Sequence, residues 1–444
     1  MNDPRIAVVG SGPSGLYTVA ALLASGQPLH IDVIDRLPTP YGLVRYGVAP
    51  DHAKMKAVTR VLAKPFTKDN VRFVGNVEVG RDLTHDDLAA CYDAVVYASG
   101  TERDRCLDIP GEDLPGVMGS GEFVRWYNGH PDAAARDLSL DAEQVAVIGA
   151  GNVALDVARV LGRTADELRD TDVPARVLAA LARSAVHDVH ILIRRGPADV
   201  KFTPAELFQL SELAGADVLV HDGGDGIGDP SLAEDKRVRL NLKTLRTFAE
   251  TPARGRRRRI HLRFFSRPAK ILGADRVSGI VVEHTRRQAR DQAAGSGERF
   301  VLPVGMVVTA VGFRGAPLAG LPFSAAAGTV PNEAGRVMAG AAVVPRVYVA
   351  GWLKRGASGI IGTNRPDGAE TAAAVLADLA GRAVPPRPDV VDLLGSRNHL
   401  PSDWAGWLRL EEYEGALGAA DGRGRVKVHD LESMLRSCTT PMRQ

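Results

Sequence analysis

Apolar positions in this chain fall into short runs separated by longer stretches in which they recur at helical spacing. The first run, Ile6 to Val9, has the length and β-branched content of a buried parallel strand. Leu16 to Ala24 then reads as a helix and His30 to Ile34 as a second strand. Further strands are expected at Val71 to Val74, within YDAVVYASG (92 to 100), at Gln144 to Ile148, at Val189 to Ile193 and within RVYVAG (346 to 351). Ala53 to Ala63 reads as helical, and Val77 to Val79 would close a hairpin across Gly75-Asn76. Thr164 to His187 reads as a helical excursion. Arg239 to Phe248 and Ile260 to Phe265 read as paired strands or as a helix followed by a strand. Their joint, Pro252 to Arg259, carries Arg254 and Arg256 to Arg259 and reads as a solvated basic loop. Thr285 to Arg299, poor in apolar residues, reads as another exposed loop. Near the end, Trp404, Trp407 and Tyr413 recur at helix-like spacing and read as core.

Composition narrows the class of protein. At 444 residues the chain exceeds the ~250–300 at which a single core stops growing, so two or three domains are expected. Hydrophobic residues at 45% and charged residues at 24% are the balance of a globular protein. A net charge of +2 argues against general nucleic-acid binding. No apolar run approaches the ~18–20 residues of a membrane span, and no signal core is evident at the N-terminus, so no membrane insertion and a cytoplasmic location are expected. The three cysteines, Cys91, Cys106 and Cys438, are spaced neither for a metal knuckle nor for a redox C-x-x-C. Disulfides and a metal site are not expected.

Candidate chemistry begins where the first strand ends. Gly10, Gly12 and Gly15 follow at G-x-G-x-x-G spacing: the first permits a tight turn, the second lets backbone approach a pyrophosphate, and the third lets the helix pack on the strand. The second strand ends at Asp35, about 20 residues on, where a carboxylate can accept from a ribose hydroxyl. Downstream, the strand Gln144 to Ile148 runs into Gly149-Ala150-Gly151-Asn152-Val153-Ala154, a G-x-G-x-x-A variant with the same phosphate-cradling physics. Here the following strand ends in Arg194 and Arg195 instead of an acid. A guanidinium pairs bidentately with a 2′-phosphate that a carboxylate would repel, so the second nucleotide is expected to be NADP.

The chain resembles the adrenodoxin reductase type of ferredoxin NADP reductase, within the glutathione-reductase-like flavoproteins. The matching stretches are PTPYGLVRYGVAPDH (38 to 52), GNVALDVAR (151 to 159), RRGP (194 to 197) and GWLKRGASGIIGTN (351 to 364). The resemblance implies an α/β fold of two Rossmann-like, three-layer nucleotide-binding domains. An FAD domain would span 1–105 and return over 316–444 with a C-terminal appendage, and an NADP domain would span 106–315. MVVTAVGFRG (306 to 315) repeats the strand-to-glycine pattern of YDAVVYASG and, with RVYVAG, reads as support for the return.

Similar proteins bind FAD through the first glycine turn, here Gly10, Gly12, Ser14 and Gly15, with Asp35, Leu43, a backbone contact at Val77, and Trp352, Gly359, Ile360 and Ile361. NADP(H) would be held by Asn152, Val153, Ala154, Leu155, Arg194, Arg195 and Glu206. The resemblance places His52 beside the flavin, coupled to a glutamate in an E-L-x-E pattern. This chain reads Glu206-Leu207-Phe208-Gln209, so a contact there would be a hydrogen bond in place of an ionic couple.

The activity implied is hydride transfer from NADPH to FAD, followed by single-electron delivery to a separate ferredoxin-type protein. That carrier would dock at a basic surface, with Lys236 and Arg237 the matching positions and Arg239 a further one. A small-molecule flavoenzyme, such as an oxygenase or amidotransferase partner, and a non-catalytic nucleotide-binding regulator are the other classes the two-site plan allows. The missing C-x-x-C speaks against a disulfide reductase.

Overall fold

The computed structural model describes residues 3–101, 103–135, 138–287 and 293–439. They form two compact units, one of Met1–Arg103, Asn128–Ala134 and Phe313–Gln444, the other of Asp104–Tyr127 and Ala135–Gly312. The stretch Asn128–Ala134, expected in the middle domain, lies in the first unit. There Lys427 donates to the Asn128 carbonyl at 3.2 Å, Arg36 pairs with Asp132 at 2.7 Å, and His130 meets Tyr46 edge-on.

The first unit is built on a seven-stranded sheet ordered Asn332–Glu333, Arg336–Ala339, Ala342–Val349, Ala94–Tyr97, Arg5–Val9, His30–Ile34, Val71–Val74. The last five run parallel, and the first two add an antiparallel edge. Successive side chains point to opposite faces. Ile6, Val8, Ile31, Val33 and Val96 therefore pack with Leu16, Val19 and Leu22 of the helix Pro13–Ala24, while Ala7, Val9, Ile34 and Val95 pack on the other side. Burial on both faces is why these strands read as unbroken apolar runs.

No hairpin forms after Val71–Val74. Asn76, at φ 60°, turns the chain over the strand end. Gly75 then bridges to Ser402, and the Val77 N–H donates to the Asp35 carbonyl at 2.9 Å. Ala53 to Ala63 is two helical turns, Ala53–Lys56 and Thr59–Leu62. The C-terminal helix Trp404–Ala420 buries Trp407 edge-on to Tyr41 and stacks Trp404 on Phe66, whereas Tyr413 stays on the surface.

The second unit holds a six-stranded, all-parallel sheet ordered Val117–Gly119, Met306–Thr309, Gln144–Ile148, Asp188–Leu192, Arg258–Arg263, Ala216–His221. Met306–Thr309 thus belongs to this sheet and gives no support to a return of the first unit. The excursion after Thr164 holds helices Ala165–Leu168 and Ala175–Ala182, as expected.

The expected basic loop is found over 252–257, mostly exposed, but its last two arginines open the strand Arg258–Arg263, and the loop expected at 285–299 is replaced by strands. In the basic run, Arg256 donates to the Ala216 carbonyl at 3.0 Å, Arg258 is buried against the Val186 and Arg163 carbonyls, and Arg259 pairs with Asp188 at 2.6 Å. Long-range acceptors draw Arg258 and Arg259 into a strand. Thr285 to Arg299 likewise falls in two antiparallel strands, Gly279–Arg287 and Ala293–Leu302, apart from 288–292, which lie outside the described residues. Backbone pairing carries that hairpin where apolar side chains are few.

Candidate functional site

Each parallel sheet carries a glycine turn at the carboxyl ends of its strands, and the two turns are built alike. Gly10, at φ +110°, abuts the chain leaving Ala94–Tyr97: a Cβ there would sit 2.5 Å from the Ala98 carbonyl oxygen. At the matching place in the second sheet, a Cβ on Gly149 would sit 2.4 Å from the Ala310 carbonyl oxygen, after Met306–Thr309. The next glycine of each turn faces open space. A Cβ on Gly151 would meet nothing within 4 Å, and one on Gly12 would meet only the Gly42 Cα at 4.0 Å.

The helices that follow, Pro13–Ala24 and Asn152–Gly162, start at Gly12 and Gly151 with no side-chain cap. Thr84, Thr164, Thr203, Asp235, Asp389 and Asp403 do cap other helices of the chain. Two bare N-termini behind glycine turns fit the two pyrophosphates of FAD and NADP(H), because backbone N–H groups and the helix dipole there favour an anion.

Around the first turn the structure gathers most of the expected FAD residues. Asp35 accepts from the Ser11 N–H at 2.8 Å, the Ser11 hydroxyl at 2.5 Å and the Leu37 N–H at 3.0 Å. These bonds fix the carboxylate while its remaining lone-pair capacity on Oδ1 suits a ribose hydroxyl. The Tyr41 N–H donates to the Ser11 carbonyl at 3.0 Å, bringing the loop with Leu43 over the turn. Tyr41, Val44 and Tyr46 are buried against the C-terminal helix, and Leu43 is the apolar member left 45% exposed. Burial pushes the Tyr41 phenol up to about 12, with the Glu411 carboxylate acting in the same direction. Val77 is buried with its N–H spent on Asp35, so a backbone contact there would use its carbonyl.

The loop after Ala342–Val349 closes the same constellation. Ser14 donates to Asn364 Oδ1 at 2.9 Å, and the Trp352 indole N–H donates to the Ser358 carbonyl at 3.1 Å, holding the segment that carries Gly359. Trp352 stacks on Phe313, Ile361 is partly buried, and Ile360 is 61% exposed. Exposed Leu43 and Ile360 with a half-buried indole fit an apolar ring system. His52 is buried in the first unit at the end of the 41–51 loop, its N–H donating to the Ala49 carbonyl at 3.1 Å.

In the second unit, Asn152 Oδ1 accepts from the Thr203 N–H at 2.8 Å, and the Lys201 N–H donates to the Ala150 carbonyl at 2.8 Å. The turn is thereby locked to the segment leading into Pro204–Phe208. Val153 is half-buried; Ala154 and Leu155 are buried helix residues, and the Ala154 N–H is engaged with the Gly151 carbonyl. Their side chains pack the helix. Arg194 is exposed and Arg195 half-buried, with their carbonyls accepting from Thr285 Oγ1 at 2.7 Å and the Phe265 N–H at 3.2 Å. The backbone is fixed and the guanidinium groups rise from a strand end.

Glu206 is buried 3.6 Å from Arg159, which also pairs with Asp156 at 2.8 Å. Arg159 closes the GNVALDVAR stretch, and sequence reasoning gave it no role; its local signal is the i, i+3 spacing from Asp156, an acid and a base one turn apart on one helix face. Gln209 is half-buried at the end of the same short helix. Lys236 and Arg237 open the helix Lys236–Glu250 and are exposed.

Two parallel sheets, each with its own bare glycine turn, one followed by an acid and the other by paired arginines, define a two-dinucleotide oxidoreductase. Residues 4–196 match the family model of the pyridine nucleotide-disulphide oxidoreductases. The NADPH-ferredoxin reductase FprA of Mycobacterium tuberculosis is 40% identical over 456 residues, spanning 98% of this chain and 99% of that one. The mitochondrial NADPH:adrenodoxin oxidoreductase of Homo sapiens is 38% identical over 455 residues, spanning 98% and 91%. The structure of Mycobacterium tuberculosis FprA in complex with NADPH superposes with a TM-score of 0.94 at 39% identity, over 99% of this chain and all of that one. This chain belongs to the family of adrenodoxin-reductase-type NADPH-ferredoxin reductases. No helix among the described residues is long and apolar enough to cross a membrane.

Proposed function

We infer that this chain is an NADPH-ferredoxin reductase using FAD. The observation that carries the reading is the matched pair of turns, Gly10-Gly12 and Gly149-Gly151, with Asp35 behind one and Arg194-Arg195 behind the other. When bound, FAD takes hydride from NADPH and gives electrons up singly, chemistry that belongs to the cofactor. The chain's own residues bind and orient. The two helix N-termini hold pyrophosphates, Asp35 takes a ribose, and Arg194 and Arg195 clamp the 2′-phosphate. Trp352 and Gly359 leave a flat, uncrowded wall for the reacting rings, and positioning of this kind is the protein's main contribution to rate.

The acceptor is a ferredoxin-type carrier, as the names of the FprA and adrenodoxin reductase relatives support, and the three cysteines here, with Cys91 and Cys438 buried, offer no cluster of four thiolates of their own. Its docking at Lys236 and Arg237 and a cytoplasmic location are part of the same proposal. The test is anaerobic: purified protein should be yellow and should bleach on adding NADPH but far more slowly with NADH. It should then reduce cytochrome c only when ferredoxin is present. A colourless protein, or one that bleaches equally with both coenzymes, would overturn the reading.

A further inference from the structure

Asn364 is the last residue of the GWLKRGASGIIGTN stretch, and nothing in the reading above gives it a role. It is 8% exposed and opens the helix Asn364–Leu379. Its Oδ1 accepts from the Ser14 hydroxyl at 2.9 Å and from Arg355 Nη2 at 2.8 Å. Its Nδ2 donates to the Ile361 carbonyl at 3.0 Å and reaches the Ile360 carbonyl at 3.5 Å. One amide thus joins the helix behind the first glycine turn to the loop that carries Gly359, Ile360 and Ile361. The partners dictate which end points where, since carbonyls need a donor while a hydroxyl and a guanidinium can donate to an acceptor.

The surroundings leave little slack. A Cβ on Gly351 would lie 2.0 Å from Ser14 Oγ. One turn along the helix, Asp367 accepts from the Gly351 N–H at 2.5 Å and sits 3.3 Å from Lys354 Nζ and 3.7 Å from Arg355 Nε. The loop over residues 356–363 is therefore held at both ends by one helix start, and the Asn364 amide is the member that also grips the glycine turn.

We propose that Asn364 is a positioning residue for the flavin cofactor, fixing the loop over 356–363 against the Ser14 end of the first glycine turn so that both present their backbone to one FAD. This rests on the reading of the first unit as the FAD site. Only a side chain with a donor and an acceptor at the same reach can do it. An aspartate would keep the Ser14 and Arg355 bonds but set a carboxylate oxygen against the Ile361 carbonyl.

The test uses FAD-loaded protein and the variants Asn364→Asp, Ser14→Ala and their combination. Two properties are read: the rate of FAD escape, from the rise of free-flavin fluorescence, and the shape of the bound flavin's visible band, which a merely structural role would leave unchanged. Asn364→Asp should speed release tenfold or more and alter the band, and Ser14→Ala should speed release severalfold. The double variant should be no more than about twofold faster than Asn364→Asp, because both bonds act through one amide. Wild-type release and an unchanged band in Asn364→Asp, or fully additive effects, would overturn the proposal. Should Asn364→Asp not fold, Ser14→Ala decides, and an unchanged release there overturns it equally. A folded wild type that takes up no FAD would overturn the reading of the site itself, a result distinct from an insensitive Asn364 in flavin-loaded protein.

Discussion

Arg45 and Glu414 form a buried ion pair, Nη2 to Oε1 at 2.5 Å, with side chains 4% and 0% exposed. It ties the turn Leu43–Tyr46 to the C-terminal helix Trp404–Ala420. The same Oε1 accepts from the Val428 N–H at 3.0 Å, Lys427 donates to the Arg45 carbonyl at 2.8 Å, and the guanidinium lies 5.0 Å from the Trp407 ring centre. Removing one partner of such a pair strands the other charge in a low dielectric. Glu414→Ala is therefore expected to cost about 3–5 kcal/mol in a chemical denaturation curve. Replacing both partners, Arg45→Met with Glu414→Leu, should recover most of the loss. A cost below about 1 kcal/mol for the single change would mean that the pair is not what secures the loop.

This pair also marks the limit of what the sequence discloses. The glycine turns, Asp35, Arg194-Arg195 and the strands that deliver them are legible because each signal is local: a buried run, a glycine spacing, a charge at a strand end. Glu414 has no local signal, since its partner lies 369 positions away. The same reason hides the strand at Arg258–Arg263. Its charges read as solvent-facing until Asp188 and the carbonyls of Val186 and Arg163 are brought beside them by the fold. Ala293–Leu302 is missed because an exposed hairpin strand needs few apolar residues. Asn364 sits in plain view at the end of GWLKRGASGIIGTN, but its use depends on Ser14, 350 positions earlier.

The second sheet should make the protein acid-sensitive. His190, His261 and His221 lie on neighbouring strands, with rings 4.3 and 5.2 Å apart, beside Asp188, Arg259, Arg263 and Asp222. Burial, reinforced by the neighbouring cations, lowers His190 to about 3 and His221 to about 4. A histidine held neutral in the fold binds its proton only in the unfolded chain. Stability is therefore complete above the ordinary value near 6.5 and falls as pH drops toward 4. The slope approaches about 1.4 kcal/mol per pH unit for His190 and is smaller for the partly exposed His221. Asp188, held well below its usual range chiefly by Arg259 and His261 against the cost of burial, adds its own loss only at still lower pH. Denaturation midpoints at pH 7.5, 6 and 5 check this, and His190→Gln should flatten the dependence.

Coenzyme choice should follow the arginine pair. The carbonyls of Arg194 and Arg195 are held by Thr285 and Phe265, so neutral side chains at these positions should leave the turn in place. Their loss removes charge-assisted bonds worth roughly 1.5–3 kcal/mol each. The KM for NADPH should rise at least tenfold while that for NADH changes little. Steady-state kinetics with both coenzymes decide it, and a parallel rise for both would place the 2′-phosphate elsewhere.

Charge reversal at the start of the helix Lys236–Glu250 tests the proposed carrier surface with little risk to the fold. Lys236 and Arg237 occupy its first turn, behind the cap formed when Asp235 accepts from the Arg237 N–H at 2.7 Å and the Val238 N–H at 3.3 Å. Negative side chains are favoured in a first turn by the helix dipole, so Lys236→Glu with Arg237→Glu should keep or strengthen the helix. The double change gives up a long side-chain bond, 3.4 Å, from Arg237 to the Val200 carbonyl. Arg239 is the weaker choice, since its guanidinium is tied to the Ala233 and Glu234 carbonyls at 3.2 and 3.1 Å. An acidic ferredoxin attracted to this turn should associate more slowly as salt rises, because exposed charges are screened beyond ~8 Å at 0.15 M. The double reversal should slow ferredoxin-dependent turnover at least tenfold at low salt and by less at high salt. NADPH reduction of ferricyanide, a small acceptor that needs no docking, should be unchanged. Equal loss in both assays would indicate damage to the nucleotide site, and no loss in either would move the docking surface away from this helix.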